Sequence, residues 1–174
     1  MEIRPERDGD DVPEVHRIAF GDDGDKVAAL VKALKRDDPE LLSLVAVVDE
    51  HVVGNVMFTR SLLDAPERLV DVLVLSPLAV LPTYQRGGVG KALIKRGLKL
   101  ADEEGMPLVF LEGDPAYYER AGFRAGGDLG FRKPSLRIPD AAFQVYPLAA
   151  YEPWMTGTLV YSATFWDHDC VGLR

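Results

Sequence analysis

Seven residues, Gln85-Arg86-Gly87-Gly88-Val89-Gly90-Lys91, join an apolar strand-like stretch, Leu69 to Leu81, to an amphipathic helical pattern. This junction restricts the chain more than any other part of its sequence. Gly87, Gly88 and Gly90 at a helix start leave backbone N–H groups uncovered by side chains. A helix N-terminus also carries roughly half a positive charge from its aligned peptide dipoles. Together these features cradle a phosphate or pyrophosphate. A strand–loop–helix unit that holds a phosphorylated cofactor is therefore expected here.

Three phosphate-binding patterns compete for these residues. A P-loop requires glycine where Gln85 stands and Ser or Thr where Ala92 stands, so its Mg²⁺-binding hydroxyl is missing. A dinucleotide fingerprint could use Gly88 and Gly90, with Glu112 as the acidic residue about 20 positions on. Its third glycine would fall on Leu93, and the glycines follow a loop containing Pro82 instead of a tight turn off the strand. The third pattern, Gln/Arg-x-x-Gly-x-Gly/Ala, is matched by Gln85, Gly88 and Gly90.

With that third match the sequence resembles the GNAT superfamily of N-acetyltransferases, nearest to its YhbS-like branch. The resemblance spans residues 75–125. Leu78-Ala79-Val80-Leu81-Pro82 looks like the family's fourth strand, and Gln85 to Glu104 like its third helix. Pro107 to Leu111 looks like its fifth strand, and Ala116-Tyr117-Tyr118-Glu119-Arg120-Ala121-Gly122-Phe123 like its fourth helix entering strand six. The resemblance implies a mixed α/β fold: a mostly antiparallel central sheet, with splayed strands four and five, flanked by helices. It implies acetyl-CoA as cofactor, held by Gln85, Arg86, Gly87, Gly88, Val89, Gly90 and Lys91. Leu78, Ala79, Val80 and Asp114 are carried over as further cofactor contacts, and the pantetheine arm would slot between the diverging strands. The activity implied is direct acetyl transfer from acetyl-CoA to a primary amine of a small acceptor. The alternative is a non-catalytic acyl-CoA-binding or regulatory domain.

At 174 residues the chain reads as one domain, 1–174, with 126–174 a C-terminal extension of it. A chain of this size buries about two-thirds of its unfolded surface. No apolar run approaches the ~20 residues of a membrane span, and the charged N-terminus (Glu2, Arg4, Glu6, Arg7) reads as no signal peptide. The single cysteine, Cys170, excludes an internal disulfide framework and fits a cytoplasmic location. Residues 1–50 carry 14 Asp or Glu against 7 Lys or Arg, whereas Arg86, Lys91, Lys95, Arg96 and Lys99 in 85–101 face no acid there. A polyanionic cofactor suits the second region and a cationic acceptor the first; equally, both are what solvated faces look like. The net charge of −8 has the wrong sign for nucleic-acid binding. No metal site is indicated.

Period and breakers place the elements. A short strand is expected at Glu2–Arg4, then helices over Val12–Phe20 and Lys26–Lys35 with a break at Gly21–Gly24. Leu42–Val48 and Val52–Thr59 read as a hairpin turning at Asp49-Glu50-His51. Ser76-Pro77 interrupts the strand Leu69–Leu81, and a missing N–H predicts a bulge or splay. From Gly88 to Glu104, Ile94, Leu98 and Ala101 form an apolar stripe joined by Val89, Leu93 and Leu100. Gly105 suits the helix cap and Pro107 prevents continuation. Gly97, in mid-helix, predicts close approach to the sheet. In the C-terminal part, Ala142–Pro147 and Thr158–Tyr161 are candidate strands. Trp154 and Trp166 read as core or interface residues, and the resemblance leaves open sheet completion or a homodimer contact for this tail.

Acetyl transfer requires a positioned cofactor, a deprotonated amine, and stabilised oxyanion and thiolate. Asp114 caps the helix that follows it. Tyr117 and Tyr118 lie about 100° apart on that helix, so only one of them points into a cleft. The family pattern selects Tyr118, whose phenol would protonate the departing thiolate. Glu112, ending strand five, is the base candidate, directly or through water. Strand four offers Asp71 early and Ser76 at the break, and Asn55 and His51 on the hairpin are weaker candidates. Asp22, Asp23 and Asp25 fall where the superfamily's acceptor entrance would lie.

Overall fold

The computed structural model describes residues 1–172. The fold is mixed α/β, with a mostly antiparallel sheet, a parallel central pair and flanking helices, as the resemblance implies. Its chain forms two compact units: Met1–Thr59 with Leu75–Leu98, and Arg60–Val74 with Lys99 onward.

The first unit starts with β1 (Glu2–Pro5), antiparallel to β2 (Leu42–Val48), which pairs antiparallel with β3 (His51–Asp64). The register Leu42–Phe58 to Val48–His51 makes Asp49 and Glu50 a two-residue turn, with φ of +46° and +65°. Two left-handed residues match the right-handed twist of the flanking strands. The expected hairpin forms, but His51 opens β3, and β3 runs five residues past the expected Thr59. Arg60 and Ser61 break the apolar alternation there, yet pairing of Leu62–Asp64 with a later strand keeps the backbone extended.

Two helices follow β1. Asp11 caps α1 (Val12–Ala19) by accepting from the Glu14 amide, and a 3₁₀ turn at Gly21–Asp23 leads into α2 (Gly24–Asp37). Val12 and Val15, with Val27, Leu30, Val31 and Leu34, bury the helices' apolar stripes. The last helix of this unit is α3 (Val89–Glu103), which passes into the second unit at Lys99. Val89, Leu93, Ile94, Leu98 and Ala101 are buried, while Lys91, Lys95 and Lys99 are exposed. Gly97 sits so near β3 that an added Cβ would lie 2.1 Å from Phe58. The close approach expected of this glycine is therefore real. At the far end, Gly105 N–H donates to Asp102 O and Met106 N–H to Ala101 O, which closes the helix with a glycine-centred cap.

β4 (Leu69–Val80) begins in the second unit and passes into the first at Leu75; its second-unit part runs parallel to β5 (Leu108–Glu112), paired at Leu73–Val109 and Val74–Phe110. The ladder ends two residues before Ser76-Pro77, the position whose missing N–H predicts interrupted pairing; that peptide is cis. Beyond β5 come the one-turn α4 (Pro115–Tyr118), β6 (Arg124–Ala125) and β7 (Phe131–Arg132). They are followed by β8 (Phe143–Pro147), β9 (Gly157–Val160) and α5 (Ala163–Asp167). β5 pairs antiparallel with β8 and β8 with β6, while β9 pairs with β3 and β7. Phe110 centres this core, edge-on to Phe131 at 5.1 Å and stacked on Phe143 at 5.7 Å. Neither tryptophan joins it: Trp154 is half-buried with the Arg68 guanidinium 5.0 Å over its ring. Trp166 is 42% exposed beneath Arg137. Among the described residues no helix is long and apolar enough to cross a membrane.

Candidate active site

The glycine loop belongs to the first unit. Leu81 N–H donates to Val53 O, fixing the end of β4, and a 3₁₀ turn over Pro82–Tyr84 leads outward. The Gln85 side chain turns back and donates from Nε2 to Val80 O at 2.9 Å. Gln85 thus staples the loop to the strand that launches it. Arg86 (φ +64°) and Gly88 (φ +85°) both adopt left-handed backbone, which reverses the chain into α3. Gly88 suffers no Cβ penalty at that angle, and a Cβ placed there would meet nothing within 4 Å. The space into which a Gly88 side chain would project is therefore open.

The first backbone bond of α3 is Ala92 N–H to Gly88 O. The amides of Gly88, Val89, Gly90 and Lys91 have no intrahelical acceptor, as at any helix start. Arg86 and Lys91 are exposed beside them, whereas Val89 and Gly90 are buried. Free donors, the positive helix end and two cations suit a pyrophosphate. On β4, Ser76, Leu78 and Val80 are half-buried and alternate with the buried Pro77 and Ala79. The strand so divides the residues carried over from the resemblance between its two faces.

The second unit holds Glu112, Asp114 and the two tyrosines. Asp114 Oδ1 accepts from Ala116 N–H at 3.0 Å, the expected cap of α4. Tyr118 is half-buried and Tyr117 is 43% exposed. The Tyr118 ring rests against Gly113, where an added Cβ would lie 2.5 Å from Cε2. It also meets Tyr117 and Phe123 edge-on, at 4.9 and 5.9 Å. Burial raises the Tyr118 phenol well above the ordinary tyrosine value, and Tyr117 and Asp114 push it further in the same direction. The phenol is thus protonated at neutral pH and able to donate. Glu112 is engaged by the C-terminal segment: its Oε1 accepts from Gly172 N–H at 2.8 Å and its Oε2 from Tyr161 O–H at 3.2 Å.

Of the other base candidates, Asp71 is exposed and Ser76 half-buried. His51 is an exposed strand residue whose Nδ1 contacts Asp49 O. Asn55 is fully buried and meets a partner that sequence reasoning missed, His16 on α1. Asn55 Nδ2 donates to Leu44 O and Ser43 Oγ, so its Oδ1 must face His16 Nε2, 2.7 Å away. That arrangement puts the imidazole proton on Nε2 and leaves Nδ1, which has no partner, as a bare acceptor. The sequence offered one signal, a histidine within the helical stretch Val12–Phe20.

Burial lowers the His16 pKa to about 4, against the smaller opposing effect of the Asn55 hydrogen bond. The unfolded chain would bind this proton below about pH 6.5, while the folded one refuses it until about pH 4. Stability should therefore fall as pH drops through that window, by up to about 3 kcal/mol. Thermal denaturation of a His16→Leu variant should show a flatter dependence of Tm on pH between about 6.5 and 4. An unchanged slope would assign the acid sensitivity to other groups.

No group of three or more His, Cys, Asp or Glu is arranged to hold a metal among the described residues. A family profile described as "Acetyltransferase (GNAT) domain" matches residues 3–126. The "Uncharacterized N-acetyltransferase YjhQ" of Escherichia coli strain K12 is 35% identical over 161 residues, covering 89% of this chain and 87% of that protein. A crystal structure of the GNAT family N-acetyltransferase YhbS from Escherichia coli in complex with CoA aligns with TM-score 0.82 and 32% identity, covering 94% of this chain and 91% of that one. A GNAT family acetyltransferase from Brucella melitensis, in complex with acetyl-CoA, aligns with TM-score 0.74 and 30% identity, covering 94% and 97%.

Proposed function

The chain belongs to the GNAT acetyltransferase family, and on that premise we propose that it moves the acetyl group of acetyl-CoA directly to a primary amine of a small, cationic acceptor. The observation that carries this reading is the loop entering α3. Left-handed Arg86 and Gly88, the Gln85 staple on Val80 and the open space before Gly88 present backbone donors to a pyrophosphate. Bound acetyl-CoA supplies an acetyl group already activated as a thioester. Gln85, Gly87, Gly88, Val89 and Gly90 orient it through backbone and staple, with Arg86 and Lys91 adding charge. Leu78, Ala79 and Val80 are proposed to hold its pantetheine arm. Asp114 supports the turn that carries Tyr118, and Tyr118 protonates the departing thiolate. Transfer without an acetylated enzyme gives Cys170 no chemical task. A cytoplasmic location fits a chain whose one cysteine forms no internal disulfide.

Glu112 was the base candidate, but both its oxygens already accept hydrogen bonds. Each oxygen keeps a second lone pair, so a base role needs that pair turned toward the amine while Tyr161 and the Gly172 amide hold the carboxylate. Where that lone pair is out of the amine's reach, water receives the proton. Glu112→Gln separates these cases. A base would lose kcat together with the acid limb of its pH profile; an anchor for the C-terminal segment would lose thermal stability instead.

The acceptor class rests on the acidic first 50 residues. Asp22 and Asp23 occupy the 3₁₀ turn between α1 and α2, and Asp25 begins α2; Asp22 and Asp25 are exposed. Clustered carboxylates favour cationic amines, and salt screens that attraction. With thioester turnover as the readout, small cationic amines should outcompete glutamate. Replacing Asp22, Asp23 and Asp25 with asparagine should raise KM for such an amine at low ionic strength, with little effect in high salt. If KM is unmoved, or glutamate is acetylated as readily, these acids are only a solvated face.

A further inference from the structure

The second unit contains a pocket of about 490 Å³ that the reading above does not use. Phe123 and Leu129 give it apolar wall, while Glu119, Asp128 and Arg124 give it charge. Gln144, on β8, also lines it and is only 2% exposed. Its Nε2 donates to Gly113 O at 3.1 Å and, at a longer 3.5 Å, to Ala142 O. Two carbonyls on one side of the amide fix which end is nitrogen, because an oxygen there would face only other acceptors. Both N–H bonds are thus committed, and Oε1 is the polar atom left for the pocket. Among the described residues no protein donor reaches that oxygen. That oxygen is not among the buried polar atoms left without a partner, so it opens on the pocket, where it can accept from an incoming donor.

We propose that this pocket binds a primary ammonium group carried on a short apolar body. The ammonium supplies N–H donors to Gln144 Oε1. Two carboxylates, Glu119 and Asp128, against one guanidinium, Arg124, favour a cation over an anion. The apolar body lies on Phe123 and Leu129. The volume falls within the range of about 300–1,000 Å³ usual for small-molecule sites. An anionic ligand would meet both carboxylates and bring no donor for the amide oxygen. The assignment holds whether the occupant is the amine that is acetylated or one that is not consumed.

The test titrates phenethylammonium, neutral phenethyl alcohol and anionic phenylacetate into ¹⁵N-labelled protein. Expected are saturable shifts of the Gln144 side-chain amide and of backbone amides at Phe123 and Leu129. Affinity should fall in the order ammonium, alcohol, carboxylate, with at least a threefold gap between the first two. Glu119→Gln combined with Asp128→Asn should remove most of that gap and leave alcohol binding unchanged. Mass spectrometry after adding acetyl-CoA distinguishes an acetylated acceptor from an unconsumed occupant, and either result keeps the site. Three results would each overturn the proposal: no saturable shift at Gln144 with any probe, tightest binding by phenylacetate, or an ammonium preference that survives the double substitution.

Discussion

Tyr118→Phe should lower kcat by roughly 10²-fold while leaving acetyl-CoA affinity nearly unchanged. The substitution removes one oxygen from a ring held in place by Gly113, Tyr117 and Phe123. The fold should therefore survive it. A loss confined to kcat is what removing a group that acts only in the transition state produces. Its neighbour is the control. Tyr117 is more exposed and less constrained, so Tyr117→Phe should be much milder. Steady-state kinetics with one amine acceptor compares the two, and equal effects would mean that Tyr118 packs without participating. Because burial raises the Tyr118 phenol, the wild-type enzyme should also show no loss of this acid up to the ordinary tyrosine range of about pH 10.

Gly88→Asp should weaken acetyl-CoA binding by at least tenfold, about 1.4 kcal/mol. The backbone there is left-handed, which disfavours a side chain, and the carboxylate would project where the phosphates are proposed to sit. No protein atom lies within 4 Å of the added Cβ, so the variant should fold with a small loss of stability. Calorimetry on the folded variant measures the affinity. Wild-type affinity would remove the cofactor from this loop.

Much of this architecture was legible because its signals are local. The buried stripe Val89, Leu93, Ile94, Leu98, the Gly105 cap and the Asp49-Glu50 turn each need only a few neighbouring residues to specify them. Gly97 is informative for the same reason: a glycine inside a strong helix period is costly unless something occupies its place, and Phe58 does. The glycine loop was readable because the left-handed turn into a helix start carries its own composition.

Long-range hydrogen bonding was not readable. The His16–Asn55 bond joins residues 39 apart, the Glu112–Tyr161 bond residues 49 apart, and the Glu112–Gly172 bond residues 60 apart. No periodicity encodes such partners. Glu112 looked like an available carboxylate because the residues that occupy it belong to the C-terminal part, where the strands are two to five residues long. β8 and β9 answer to the expected strands at Ala142–Pro147 and Thr158–Tyr161, whereas β6 and β7, two residues each, are too short for alternation to register. The exposed Trp166 has a similar origin: with Arg137 over its face it is stabilised at the surface, which composition alone does not reveal.

The most direct test of acetyl transfer follows the acetyl group itself. Incubation of the protein with ¹³C-acetyl-CoA and a panel of cationic, neutral and acidic amines, analysed by mass spectrometry, should give one N-acetylated amine per CoA released. Cationic amines should lead the panel, and the protein should show no acetyl adduct during turnover. Binding of acetyl-CoA without release of CoA in the presence of any amine would contradict the enzyme reading and leave a cofactor-binding domain. An acetylated protein that passes its label to the amine would contradict direct transfer.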